Sequence, residues 1–275
     1  MAQRRGEAVI ERSSLLAEKV VVVSGVGPGL GRHVAERAVA AGASVMLSAR
    51  SLDYLEELAT ELGDLYGADR LSVSRCDVTA DEECRSLMAA TEDRFGGVDG
   101  VVANAFATGS YNVTLEEADV DSWMPAFDVN FFGSLRLVKA AIPALKRRQG
   151  GTVVFVGSQI VRRVRAGRGA YASSKAALLT ASHVLARELG PYDIRVNTVV
   201  PGRMWGPALH RYIGQLAEQR GTSFEAQVGV MVDDVSLPRL ATDEECARAV
   251  VFLSSDLSAA MTGQAIDTNA GETFH

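Results

Sequence analysis

The chain is predicted to fold as a doubly wound α/β protein, with about seven parallel strands and helices on both faces of one sheet. Three observations carry that prediction. From Lys19 to the C-terminus, short β-branched runs alternate with amphipathic stretches of helical period. The strand runs are apolar throughout, as in Val20-Val21-Val22-Val23, which is the pattern of strands covered on both faces. No Pro/Gly/Ser-rich linker, composition shift or internal repeat cuts the chain, so residues 18–275 read as one domain behind a loose polar extension at 1–17.

Strands are expected at 19–24, 44–48, 71–75, 98–103, 152–157, 193–199 and 264–268. Helices are expected near 29–41, 52–63, 80–95, 122–148, 170–189 and 242–254. Residues 203–241 interrupt this alternation and look helical around 207–220. A segment this long exceeds an ordinary connection. It follows the C-terminal end of a strand, where ligands bind in open α/β sheets, and so reads as a substrate loop or lid insertion. A surface insertion without a role is the alternative.

At 275 residues and 47% hydrophobic content the chain can bury a sizeable core. A net charge of −6 argues against nucleic acid as a partner, because phosphate neutralisation needs a basic face. No apolar run approaches the ~20 residues needed to span a bilayer, so no membrane partner is expected. Cys76, Cys84 and Cys246 show neither CxxC nor His-paired spacing, which argues for a reducing compartment and no metal site. Residues 1–17 carry Arg4, Arg5, Glu7, Glu11 and Arg12 with no continuous apolar stretch, so a secretory signal is not expected and the localisation reads as cytoplasmic.

Directly after the first strand comes Ser24-Gly25-Val26-Gly27-Pro28-Gly29-Leu30-Gly31, then a helix. Glycines here let backbone approach a pyrophosphate, and the helix N-terminus offers free N–H groups and a positive dipole end. The spacing Gly25-xxx-Gly29-x-Gly31 departs from GxGxxG, yet its place in a βαβ unit marks a dinucleotide site of Rossmann type. Ser24, Gly25, Gly27, Gly29, Leu30 and Gly31 are the candidate cofactor contacts of that turn. A nucleotide triphosphatase is disfavoured, since no Gly-Lys-Ser/Thr follows. The second strand ends Leu47-Ser48-Ala49-Arg50-Ser51. Ala49 stands where a carboxylate would favour NAD, and Arg50 next to it points to NADP. An Arg there can also cap the strand or stack on adenine, and NAD stays possible. Asp77 and Val78, after the third strand, are placed for the adenine end.

Tyr171 and Lys175 lie at i and i+4 at the start of a helix, on one face. A free phenol titrates near ~10, and a neighbouring ammonium favours the phenolate, so such a pair can exchange a proton with a substrate oxygen. Alone, this spacing also fits an exposed helix face. Ser158 precedes Tyr171 by thirteen residues and follows the apolar strand Val153-Val154-Phe155-Val156, which places a hydroxyl at the same sheet edge as the glycine turn.

With these motifs in this order, the chain resembles the short-chain dehydrogenase/reductase family, in its single-domain branch, from Lys19 to about Gly271. Gly25, Gly29 and Gly31 match the family's TGxxxGxG turn, with Ser24 in place of Thr. Asn130 in Asp-Val-Asn-Phe-Phe-Gly matches its helix Asn. Ser158, Tyr171 and Lys175 match its Ser-Tyr-Lys core, and Pro201-Gly202 its segment against the nicotinamide. The resemblance implies an NAD(P)-dependent alcohol dehydrogenase or ketoreductase acting on a small, hydrophobic substrate. Tyr171 would be the acid/base. Lys175 would lower its pKa and bind nicotinamide ribose, Ser158 would bond the substrate oxygen, and Asn130 would support a proton-relay water. It also implies a homotetramer or homodimer.

The sequence departs from that pattern in places. The family's Asn-Asn-Ala-Gly appears as Ala103-Asn104-Ala105-Phe106, keeping Asn104 and Ala105 as cofactor contacts. Phe106 either closes part of the active-site mouth or fills a local hollow. Gly206 occupies a position where the family often has a Thr for the carboxamide, leaving that contact to backbone or to Thr198. Arg162, Arg163, Arg165 and Arg168 crowd the loop between Ser158 and Tyr171. They form a solvated or subunit-contact loop, or a site for a substrate carboxylate or phosphate. Met204, Trp205 and Met231 read as a pocket wall or as the core of a small helical lid. An NAD-preferring dehydrogenase and a catalytically silent dinucleotide-binding sensor are the competing readings.

Overall fold

Val20–Ser24 (β1) lies inside the sheet, with a parallel strand hydrogen-bonded on each side. In this computed structural model, which describes residues 15–110 and 112–274, seven parallel strands lie in the order β3-β2-β1-β4-β5-β6-β7. The others are β2 (Ser44–Ala49), β3 (Leu71–Arg75), β4 (Gly100–Ala103), β5 (Gly151–Val156), β6 (Ile194–Pro201) and β7 (Ala265–Thr268). The order reverses between β1 and β4, and the loops leaving their C-terminal ends open a crevice there.

Helices α1 (Leu30–Ala40), α2 (Asp53–Tyr66) and α9 (Asp243–Ser254) cover one face, and α3 (Asp81–Phe95), α5 (Ser134–Arg147) and α6 (Gly169–Leu189) the other. The two-residue period of β1 divides its side chains between them. Val21 and Val23 pack with Val34, Leu55 and Val250, whereas Val22 packs with Leu87, Leu137 and Leu178. Both layers need apolar contacts, which is why β1 reads as an unbroken valine run.

The expected helix 122–148 is not one helix. A four-residue turn of α-helix, α4 (Met124–Phe127), passes into a π-helical segment over Asp128–Gly133 before α5 resumes. Such wide turns concentrate at functional positions. This one brings Asn130 to the sheet edge. Residues 203–241 form α7 (Pro207–Arg220) and α8 (Phe224–Val232), the second not anticipated, around a small core of Ile213, Met231 and Leu240. Residues 1–14 of the expected loose extension lie outside the described residues. Leu16, by contrast, is 1% exposed and donates its N–H to Ala41 O, so the packed chain starts ahead of the expected boundary at 18. Among the described residues no helix is long and apolar enough to cross a membrane.

Candidate active site

Two glycines shape the turn after β1. Gly25 has φ +77°, and a Cβ on it would fall 2.4 Å from Ala105 N; a Cβ on Gly31 would fall 2.7 Å from Gly25 O. The turn therefore lies flat against both the β4 loop and the start of α1. Asn104 Nδ2 fastens it by donating to Gly25 O at 2.7 Å. A Cβ on Gly27 would meet nothing, so this glycine faces open space. Helix α1 has no side-chain cap and no acid in its first turn, which suits an anion at that end.

That open space is a cavity of about 520 Å³. Gly25, Gly27, Gly29, Leu30, Gly31 and Asn104 line one end, and Ser158, Tyr171, Lys175, Pro201 and Gly202 line it as well. Ser158 is extended just beyond β5 and accepts a hydrogen bond from Ile160 N at 3.3 Å. Tyr171 shares a hydrogen bond with it. Burial raises the Tyr171 phenol above its ordinary value, and that bond to Ser158 pulls in the opposite direction. Lys175 is 2% exposed and donates from Nζ to Val156 O at 2.7 Å; desolvation lowers its ammonium to about 8.

The expected lowering of the phenol by Lys175 is thus not what this geometry gives. Nζ lies 5.9 Å from the Tyr171 ring centroid and donates to Val156 O, and the phenol responds to its burial and to Ser158. Asn130 also differs from expectation. Its Oδ1 accepts from Ala107 N at 2.7 Å, and its Nδ2 donates to Ala107 O and to Ser174 Oγ. Ser174 Oγ in turn donates to Tyr171 O. Asn130 is therefore a buried clamp joining the β4 loop to the first turn of α6, outside the cavity lining.

Other expected contacts stand apart too. Ser24 is buried in β1, Val78 packs beneath the π segment, and Ala105 leans on the second core; none lines the cavity. Asp77 Oδ1 accepts from Thr79 N and Oγ1, and exposed Arg50 is its charged neighbour beyond β2. Thr198 donates to Ser182 Oγ inside the sheet layer, which removes it as a carboxamide contact.

Phe106 is 60% exposed and lines the cavity, as a residue at its mouth would. Met204 also lines it, whereas Trp205 and Met231 belong to the lid core. Ion pairs hold Arg162, Arg163 and Arg165 of the loop. Arg162 faces Asp267 at 3.6 Å, Arg163 faces Asp234 at 3.1 Å, and Arg165 reaches Glu272 at 3.0 Å. Arg203 joins through Asp234 and Glu272 at 2.6 and 2.7 Å, and Gln159, next to Ser158, donates to Glu272. The Glu272 side chain is 0% exposed.

The sequence reading missed Asp243. Its carboxylate abuts the turn: a Cβ on Gly29 would lie 3.3 Å from Oδ2, and one on Gly206 only 2.0 Å. A threonine at 206 would collide with it, which accounts for the glycine there. Burial raises this carboxyl, and the charges of His33 and His210 pull it down. No spacing rule marks Asp243, because its partners come from α1 and the start of α7. Arg211 and Tyr212 of α7 were missed as well, although they lie in a segment already marked as a lid.

A family model described as enoyl-(acyl carrier protein) reductase matches residues 25–273. The chain is 32% identical over 270 residues to trans-4-hydroxycyclohexanecarboxylate dehydrogenase of Sinomonas cyclohexanicum, covering 95% of each. It is 32% identical over 253 residues to 3-oxoacyl-(acyl-carrier-protein) reductase FabG of Salmonella typhimurium, covering 92% of this chain and 96% of that one. L-sorbose reductase of Gluconobacter frateurii, solved with NADPH and L-sorbose, superposes with a TM-score of 0.87 at 29% identity, over 94% of this chain and 97% of that one. Likeness of this extent, on top of the sheet order and the glycine turn, settles the family: the chain belongs to the short-chain dehydrogenase/reductases, which are NAD(P)-dependent oxidoreductases.

Proposed function

We propose that the protein is an NADP-dependent dehydrogenase or ketoreductase acting on a secondary hydroxyl or its ketone in a small, largely apolar substrate. The convergence of Ser158, Tyr171 and Lys175 on a cavity whose other end is the glycine turn carries this reading. The relatives named for a ring alcohol and for a 3-oxoacyl group act on the same type of carbon–oxygen bond. A bound nicotinamide supplies the hydride, or accepts it, at C4. The protein orients and moves the proton. Tyr171, whose phenol burial raises above its ordinary value, donates to the carbonyl oxygen in reduction and accepts from the hydroxyl in oxidation. Ser158 holds that oxygen beside the phenol. Lys175 sets the floor of the site and places positive charge where ribose hydroxyls would sit, while Asn130 fixes the turn that carries Tyr171. Turnover of a ketone panel with either reduced cofactor tests the reading; no turnover on any member would refute it.

The phosphate-binding fit rests on open backbone at Gly27 and the uncapped start of α1. For the choice of cofactor, Arg50 is exposed beyond Ala49 with no carboxylate at the strand end, which favours a 2′-phosphate. Arg50→Ala is expected to weaken NADPH binding by about 30-fold, the size of one charge-assisted contact, and NADH binding by less than about threefold. Fluorescence titration of both cofactors decides it. Tighter NADH binding in wild type, indifferent to the substitution, would assign NAD instead.

The pH dependence has a sign. Because the folded phenol is raised, the proton-donating form persists through neutral pH, and carbonyl reduction is expected to fall only as pH climbs through the alkaline range. Alcohol oxidation needs the ionised form and is expected to rise over the same range. Rates in both directions against pH should therefore slope oppositely; parallel profiles would count against Tyr171 as the proton carrier.

A further inference from the structure

Two helix starts meet at one buried acid. Gly29 is the residue before α1 and Gly206 the residue before α7, and neither helix has a side-chain cap or an acid in its first turn. The carboxyl of Asp243, the first residue of α9, lies against both glycines. A Cβ on Gly29 would sit 3.3 Å from Oδ2, and one on Gly206 would overlap that oxygen. One turn into each helix stands a histidine, His33 on α1 and His210 on α7, donating its backbone N–H to the glycine's carbonyl. The charges of these two histidines act on Asp243. On its own helix the facing group is Cys246, a thiol that burial pushes up to about 11.

Helix α9 has other acids at its start. Glu244 pairs with Arg37 and Arg248, and Glu245 pairs with Arg239 and closes a capping box with Thr242. Asp243 is different. It is 6% exposed, lines the cavity, and among the described residues accepts no hydrogen bond and enters no ion pair. A polar group kept from water without a partner is costly, and a ligand that engages it offsets the cost. Two uncapped helix starts beside open glycine backbone favour an anion, and the pyrophosphate of a dinucleotide is one. An ionised carboxylate in that position would repel it. A protonated carboxyl instead donates to a phosphate oxygen in a charge-assisted bond. Burial already favours the neutral form of Asp243.

We propose that the dinucleotide binds together with one proton, taken from solvent by Asp243, so that this carboxyl donates a hydrogen bond to the pyrophosphate between the starts of α1 and α7. The proton returns to solvent when the cofactor leaves. The proposal rests on the oxidoreductase reading above and goes beyond it in making cofactor affinity depend on pH through a residue apart from the Tyr171 proton route.

Calorimetry in buffers of different ionisation enthalpy counts the proton. ADP-ribose is the first probe, because it keeps the pyrophosphate and lacks both the nicotinamide and the 2′-phosphate. Wild type is expected to take up close to one proton per ligand once Asp243 is ionised in the free protein. Between about pH 5 and about pH 9 its Kd should include a stretch that rises by about tenfold per pH unit, the slope of one linked proton. Asp243→Asn keeps the shape and a donor. It should bind within about threefold of wild type at the acid end, with no proton uptake and a flat Kd. Asp243→Ser serves the same purpose should the Asn variant not fold. The same difference between wild type and variant should appear with NADPH.

A pH-independent Kd without proton uptake in wild type overturns the proposal and leaves the oxidoreductase reading standing. Uptake that persists in the Asp243 variants also overturns it and gives the proton to His33 or His210. Uptake with NADPH but none with bound ADP-ribose overturns it too, assigning the proton to the nicotinamide or 2′-phosphate end. Failure of both ligands to bind overturns this proposal and the oxidoreductase reading together.

Discussion

Replacing Tyr171 by Phe is expected to lower kcat by about 10³-fold in both directions, within the range carried by a positioned general acid–base. The substitution removes one oxygen and nothing of the ring. The ring stays packed at the start of α6, and what is lost is the hydroxyl that Ser158 engages. The stability change should be about 1 kcal/mol, the net worth of one hydrogen bond. Equilibrium denaturation and steady-state kinetics on the same preparation separate these quantities. A loss of kcat below about tenfold with unchanged stability would mean that the proton leaves by another route. Ser158→Ala is the natural companion, because it keeps the phenol and removes its partner.

Removing the carboxylate of Glu272 is the second large effect. Its side chain is fully enclosed and serves Arg165, Arg203 and Gln159 together, with Arg163 at 3.9 Å. Glu272→Ala would take this carboxylate from Arg165 and Arg203, leaving Arg163 and Arg203 to share Asp234. Breaking a buried pair by deleting one partner typically costs more than the pair contributes, because the remaining charge stays desolvated. Arg163 and Arg165 are partly open to water, which recovers some of that energy, so a loss of about 2–3 kcal/mol is expected. Activity should fall with it. Gln159 adjoins Ser158, and Arg203 follows Pro201-Gly202, so the web holds two segments of the cavity wall. Denaturant unfolding measures the first effect and kcat/KM the second; a variant as stable as wild type would show that the web is solvated in solution.

These two predictions differ in how visible their residues were in the chain. Tyr171, Lys175 and Ser158 stand within eighteen residues on consecutive elements, and the resemblance to the family gave that spacing its meaning. The glycine turn was equally legible, because it requires only a strand, a tight turn and a helix in sequence. Glu272 was not. It sits 107 residues from Arg165 and 113 from Gln159, and only the way the C-terminal segment folds back across the sheet edge joins them. The arginine-rich loop therefore looked like one charged surface run, although Arg165 is paired and Arg168 is nearly buried. Asn130 was recognised as a special position, but its π-helical turn was not, since local sequence does not distinguish one wide turn from continuous helix. The lid shows the same limit. Its first helix followed from periodicity, whereas Arg211, Tyr212 and Asp243 acquire meaning only from what α6 and the glycine turn place opposite them.

The central claim is that hydride passes between the nicotinamide and the carbon whose oxygen Tyr171 protonates. Reduction of a cyclic ketone with NADPH deuterated at C4, followed by mass spectrometry and NMR of the alcohol, tests it directly. One deuterium on the carbinol carbon, delivered from one face of the nicotinamide, is the predicted result. An alcohol whose carbinol hydrogen comes from solvent, or no alcohol with either reduced cofactor, would contradict it.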